Sequence, residues 1–252
     1  MLVKIVILAM LSVGCAQPPV DAKPVVIKSA TCARVQTVAV IDTGFSFSKH
    51  TTGAKLCKFG HKDFTTLGQS VKLDGFNDSV PVDNHGHGTN VAGLIQENAG
   101  DSEFCIVVIK YYDPKAIAND NLKNTVKAIK YATNIGAKYI NYSGGGTEIS
   151  IEERNAVKAF LDKGGKFIAA AGNEKADLSV QPYYPAMDDN RIVVVGSKEK
   201  DGTVSRYSNH GKQVTQWEYG SGVVGFGILM SGTSQAAAIA TGKIIKQTKC
   251  DK

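Results

Sequence analysis

The chain has 252 residues, room for one large domain or two small ones and enough to bury a full core without help from metals. Apolar residues make up 43% and charged residues 21%, a globular balance that excludes a disordered chain. The 29 Lys and Arg against 23 Asp and Glu leave a net charge of +6, scattered rather than gathered into a stripe, so no nucleic-acid partner is expected.

The chain opens with Lys4, an apolar run over residues 5–13 and a small-residue exit at Gly14. This is the pattern of an export signal, and the run falls short of the about 20 apolar residues that span a bilayer. Leu11-Ser12-Val13-Gly14-Cys15 also resembles a bacterial lipobox, although Ser12 stands where the motif prefers an aliphatic residue. That resemblance implies cleavage before Cys15 and a lipid on its sulfur, which would tether the protein to a membrane; plain secretion is the alternative. Residues 1–14 are thus read as a signal, 15–29 as a polar linker, and 30–252 as one catalytic-size domain at the cell envelope or outside the cell. Setting Cys15 aside leaves Cys32, Cys57, Cys105 and Cys250. Four cysteines in an exported protein allow two bridges in three pairings, among which the sequence does not choose.

Strand-like and helix-like segments then alternate. Residues 35–41 and 104–111 are apolar, β-branched runs that read as buried strands, the first ending at Asp42. Leu122, Val126 and Ile129 recur at helical spacing, predicting a helix over 121–135 that Gly136 closes. Residues 138–142 form a strand leading into Ser143-Gly144-Gly145-Gly146. Ser150 and Glu153 make a capping-box pattern for a helix through Lys163. Strands are predicted at 166–171 and 191–196, and an Ala-rich helix at 234–247. Strands alternating with helices imply an α/β fold of three layers, a mostly parallel sheet with helices on both faces, with functional groups beyond the carboxyl ends of the strands.

Three segments carry chemistry. Asp42 places a carboxylate at the end of a buried strand, just before a turn; a structural role accepting turn amides is the plain alternative. His87 lies in Asp83-Asn84-His85-Gly86-His87-Gly88-Thr89, where a Gly-flanked loop opens into an apolar helix. A zinc site needs three or four ligands, and no second cluster of fitting spacing accompanies these histidines, so no metal or cofactor is expected. Ser234 lies at the start of the last helix, where outward-pointing backbone N–H groups favour negative charge. An N-cap role is its plain alternative.

The order Asp, His, Ser with these local sequences resembles the subtilisin-like serine proteases, the subtilases, over residues 35–246. The resemblance implies that Ser234 is the nucleophile, His87 the general base and acid, and Asp42 the group that orients the imidazole. It implies that Asn173, in Ala170-Ala171-Gly172-Asn173, donates its amide to the oxyanion beside the Ser234 backbone N–H. It also implies that Ser143, Gly144 and Gly145 form an edge that pairs with the backbone of a protein or peptide substrate. Tyr184-Pro185-Ala186 resembles a family turn near the specificity pocket, and Glu174 is read as lying at that pocket's rim. The implied activity is serine endopeptidase. A non-catalytic peptide-binding module on the same scaffold, or an esterase with the same triad, are the competing readings.

The chain departs from the family pattern in places. Asn90 stands where many relatives have a second histidine, and Ala238 where the family commonly has proline. Only about twenty residues separate Cys15 from the first predicted strand, too few for the folding-assisting prodomain of secreted relatives. Calcium loops are not matched.

Overall fold

The run Val38, Ala39, Val40 and Ile41 has no residue more than 2% exposed. A strand apolar on both faces must be covered on both faces, which places it at the centre of a parallel sheet. The structure, a computed structural model, describes residues 35–117 and 120–248. Cys15, Cys32 and Cys250, the signal and the linker lie outside the described residues.

In chain order the strands are β1 (Gln36–Asp42), β2 (Lys62–Asp63), β3 (Ser70–Val71), β4 (Val80–Pro81), β5 (Phe104–Lys110), β6 (Tyr139–Tyr142), β7 (Lys166–Ala170), β8 (Val193–Lys198), β9 (Gln216–Tyr219), β10 (Val223–Gly225) and β11 (Ile228–Met230). The α-helices are α1 (His87–Ala99), α2 (Asp120–Asn134), α3 (Ile151–Asp162) and α4 (Thr233–Gln247). One seven-stranded sheet runs β2-β5-β1-β6-β7-β8-β9, parallel throughout. The expected three-layer α/β architecture is the one observed.

The pleat sorts the core into two layers. Ala39 and Ile41 of β1 face α2 and α3 in one cluster, with Ile129, Val157 and Phe160. Val38 and Val40 face α1 and α4 in the other, with Val91, Ile95 and Ala236 to Ala240. The alanines and Gly242 make α4 slim enough to lie against α1. A Cβ on Gly242 would come within 2.6 Å of the Ile95 carbonyl oxygen. This close approach aligns the first turns of α1 and α4 on the same side of the sheet.

Several expectations need correction. The strand expected over 191–196 begins two residues later, at Val193. Arg191 is held in a turn instead, its N–H donating to Asp189 Oδ1 at 2.9 Å and its guanidinium pairing with the same carboxylate. The capping box of α3 is only half formed. Ser150 Oγ accepts the Glu153 N–H at 3.1 Å, but the Glu153 carboxyl does not return to the Ser150 N–H. Ser234 is not an N-cap; Gly232 occupies that position. The strand β9 and the hairpin β10–β11 were not anticipated. Of the candidate cysteines, Cys57 and Cys105 are joined, with Cα atoms 4.8 Å apart, closing a sequence separation of 48.

Candidate active site

The candidate residues gather beyond the carboxyl ends of the parallel strands, where strand ends and helix starts leave backbone groups free. Asp42 ends β1, Ser143 follows β6, Asn173 follows β7, and His87 and Ser234 open α1 and α4.

Asp42 and His87 are in direct contact. His87 Nδ1 lies 2.8 Å from Asp42 Oδ1, which also accepts the Thr43 N–H at 2.8 Å. A carboxylate only accepts, so Nδ1 carries the proton and Nε2 presents its lone pair outward. The Asp42 side chain is 4% exposed and that of His87 20%. Burial disfavours the imidazolium, but the Asp42 charge, the Asp42 hydrogen bond and the Asp83 charge outweigh it, and the His87 pKa is raised above its ordinary value.

Asp83 organises the loop that presents His87, a role the sequence reading missed. Its Oδ1 accepts the Thr43 hydroxyl at 2.9 Å and the His85 and Gly86 N–H groups at 2.9 and 2.8 Å. Its Oδ2 accepts the Thr89 N–H at 2.9 Å and hydroxyl at 2.6 Å. Burial raises its pKa, yet the Thr89, Gly86 and His85 donors win and hold the carboxylate below its ordinary value. The available signal was an aspartate just before a Gly-His-Gly turn, the position of a side chain that caps turn amides. Gly88 completes the junction. Its N–H donates to the Thr43 hydroxyl at 2.9 Å, and a Cβ there would stand 2.5 Å from the Gly44 carbonyl oxygen. His85, read as a loop side chain, is exposed.

Ser234 is the second residue of α4 and is buried. At that position its N–H has no partner within the helix. Its hydroxyl donates to the Ser143 carbonyl at 3.0 Å, and so is turned toward Ser143. The Ser143 hydroxyl donates to the Ser234 carbonyl at 3.1 Å and accepts from Asn141 Nδ2 at 2.9 Å. Asn173 is oriented by Thr233, whose N–H and hydroxyl donate to its Oδ1 at 2.9 and 3.1 Å. With the oxygen so held, the Asn173 NH₂ remains as a donor beside the start of α4.

The segment after Ser143 offers an edge. Gly146 exchanges backbone hydrogen bonds with Tyr184, at 2.9 and 2.7 Å, whereas Gly144 and Gly145 make none among the described residues. Glu174, expected at a pocket rim, is exposed, and its Oε2 accepts from Asn209 Nδ2 at 2.7 Å. Asn90 is buried and bridges elements, accepting from Gln235 Nε2 at 3.0 Å and donating to the Ile228 carbonyl at 2.7 Å. Ala238 lies fully buried within α4. Among the described residues no group of three or more His, Cys, Asp or Glu is placed to hold a metal, and no helix is long and apolar enough to cross a membrane.

Residues 34–248 match the subtilase family. The chain is 28% identical over 218 residues to thermitase of Thermoactinomyces vulgaris, covering 81% of this chain and 72% of that protein. It is 29% identical over 220 residues to a thermophilic serine proteinase of Bacillus sp. (strain AK1), covering 82% of this chain but 50% of that protein. A solved cold-adapted subtilisin-like serine proteinase superposes with a TM-score of 0.63 at 25% identity, covering 82% of this chain and 72% of that one. The sheet order, the residues at its carboxyl ends and these likenesses agree, and the chain belongs to the subtilases, the family of subtilisin-like serine endopeptidases.

Proposed function

We propose that this protein hydrolyses peptide bonds of protein or peptide substrates through Asp42, His87 and Ser234, with Asn173 and the Ser234 N–H as oxyanion donors. The observation that carries this reading is the 2.8 Å contact of a buried carboxylate with the imidazole that opens α1, beside the first turn of α4. Substrate pairs along Gly144 and Gly145, whose backbone groups are unspent. The Ser234 hydroxyl then swings from the Ser143 carbonyl toward His87 Nε2 and gives up its proton as Oγ bonds to the scissile carbon. The charge developing on the carbonyl oxygen meets the two oxyanion donors, of which the side-chain amide is worth about 3–4 kcal/mol in related enzymes. His87 passes the proton to the leaving amine, and water, deprotonated by the same ring, releases the acyl group.

The test is labelling by a fluorophosphonate. The folded protein should label at Ser234 and Ser234→Ala should not; equal behaviour of the two would overturn the catalytic reading. Peptide binding without turnover would then favour a non-catalytic module on the same scaffold. A comparison of matched ester and amide substrates separates an esterase from a peptidase.

The export pattern at the N-terminus supports action at the cell envelope or outside the cell. If Cys15 carries a lipid, Cys15→Ala releases the protein from the membrane fraction. Unchanged fractionation would refute the tether.

A further inference from the structure

Beside the open edge lies a cavity of about 240 Å³ whose walls include Tyr111, Thr125, Tyr142, Gly145, Tyr184 and Glu153. It is smaller than the about 300–1,000 Å³ of small-molecule sites, and part of its wall is the substrate edge itself. What fits it is one side chain of a bound peptide. Gly145 and Gly146 are two and three residues beyond Ser143, so the cavity sits roughly 7–10 Å along the edge at about 3.3 Å per residue.

Its composition is unusual for a side-chain pocket. Glu153 is only 2% exposed, and its carboxyl has no hydrogen-bond or ion-pair partner among the described residues. The Ser150 N–H, the donor of a full capping box, is not engaged by this carboxyl; Ser150 Oγ accepts the Glu153 N–H and donates to Glu152 Oε2 at 3.2 Å. Asp188, whose charge acts on Glu153, pairs through Oδ1 with Arg154 Nε at 3.2 Å while its Oδ2 is buried without a partner among the described residues. The guanidinium of Arg154, 45% exposed, thus serves Asp188 and leaves Glu153 unpaired. Glu148 adds a further acidic group to the lining, and among the described residues no Lys or Arg lines the cavity.

We infer that Glu153 is a specificity-determining residue whose carboxyl selects a Lys or Arg side chain of the substrate, held in this cavity at a position removed from the scissile bond. This rests on the peptidase reading above. A buried carboxylate without a partner is costly, and an entering cation supplies the partner that the fold withholds. An apolar side chain would leave the carboxyl desolvated and unpaired.

The charge balance has a readable consequence. Burial and the nearby Asp188 push Glu153 up to about 8. Burial also holds Asp188 above its ordinary value against the pull of Arg154, and burial pushes Tyr111 and Tyr142 so far up that both stay neutral in this range. Entry of a cation ionises Glu153, and its proton leaves to solvent. With a pKa of about 8, the carboxylate fraction rises from about a tenth at pH 7 to about nine-tenths at pH 9. Preference for a basic over an uncharged side chain should rise about tenfold across that span.

A position-scanning peptide library locates the position, and matched peptides carrying Arg or Leu there give a ratio of kcat/KM values. His87 titrates identically in both members of the pair and cancels. The wild type should favour Arg and Lys, increasingly from pH 7 to pH 9, and Glu153→Gln should flatten the ratio and its pH dependence. A wild-type profile without a basic preference, or a preference that survives in Glu153→Gln, overturns the inference. The wild-type profile alone suffices if the variant fails to fold. Calorimetric titration of Ser234→Ala with the Arg peptide in two buffers should register proton release, independently of turnover. Failure of fluorophosphonate labelling would sink the peptidase reading; labelling and cleavage without a basic preference would sink only the role of Glu153.

Discussion

Ser143 and Ser234 hold each other reciprocally. The Ser234 hydroxyl donates to the Ser143 carbonyl at 3.0 Å, and the Ser143 hydroxyl donates to the Ser234 carbonyl at 3.1 Å. The proposed nucleophile is thus parked on the segment proposed to meet the substrate. Ser234→Ala removes one hydrogen bond but leaves the reverse one, which ends on a backbone carbonyl. Stability should change by about 1 kcal/mol or less, while turnover should fall by about 10⁴–10⁶, the range for triad deletions in serine proteases. Steady-state kinetics beside a thermal melt checks both, and retention of a tenth of the activity would be incompatible with a nucleophilic Ser234.

In the proposed mechanism the acid limb of activity belongs to His87. General-base catalysis needs the neutral ring, so activity is lost as pH falls through a pKa that lies above the ordinary histidine value. Asp42 is the largest cause raising it. Asp42→Asn should therefore move the acid limb to lower pH while turnover drops by about 10⁴. A limb that stays fixed in Asp42→Asn would show that another group titrates.

Asp83 should matter for stability. Its two oxygens receive donors from Thr43, His85, Gly86 and Thr89. Asp83→Asn turns one oxygen into an NH₂ facing donors and removes the charge. We expect a loss of about 2–4 kcal/mol in denaturant unfolding, with reduced kcat/KM because the Thr43–Gly88 link loosens. A variant as stable as the wild type would reduce Asp83 to an ordinary turn residue.

The Cys57–Cys105 bridge closes a sequence separation of 48, which the chain-entropy relation converts to about 4 kcal/mol of stability. Replacing both residues by Ala should lower the unfolding free energy by that order and leave fluorophosphonate labelling intact, because Cys105 lies at the amino end of β5, away from the candidate site. Two reactive thiols at these positions in the native protein would refute the bridge.

Much of the framework was legible locally. The apolar runs of β1, β5, β6 and β7 and the helical spacing of α2, α3 and α4 lie within a residue or two of the observed elements. Burial on both faces leaves a continuous apolar run, and an amphipathic helix leaves its period, whatever the rest of the chain does. Asp42, His87 and Ser234 stood out at a strand end and at helix starts, whereas Asn173 and the roles of all four came from the resemblance to the subtilases. Other features were decided by contacts between segments distant in the chain. The strand β9 and the hairpin β10–β11 have 4, 3 and 3 residues, too few for a period, and β9 exists because β8 offers it an edge. The choice of Cys57 for Cys105 among three pairings followed from parallel docking of residue 56 beside residue 106. The Glu153 carboxyl, assigned by pattern to a cap, was turned into a cavity built by α2, α3 and the segment after β6. A capping pattern encodes what a side chain can reach along its own helix; where the carboxyl goes is settled by the neighbours that desolvate it, and those are brought together only by the tertiary fold.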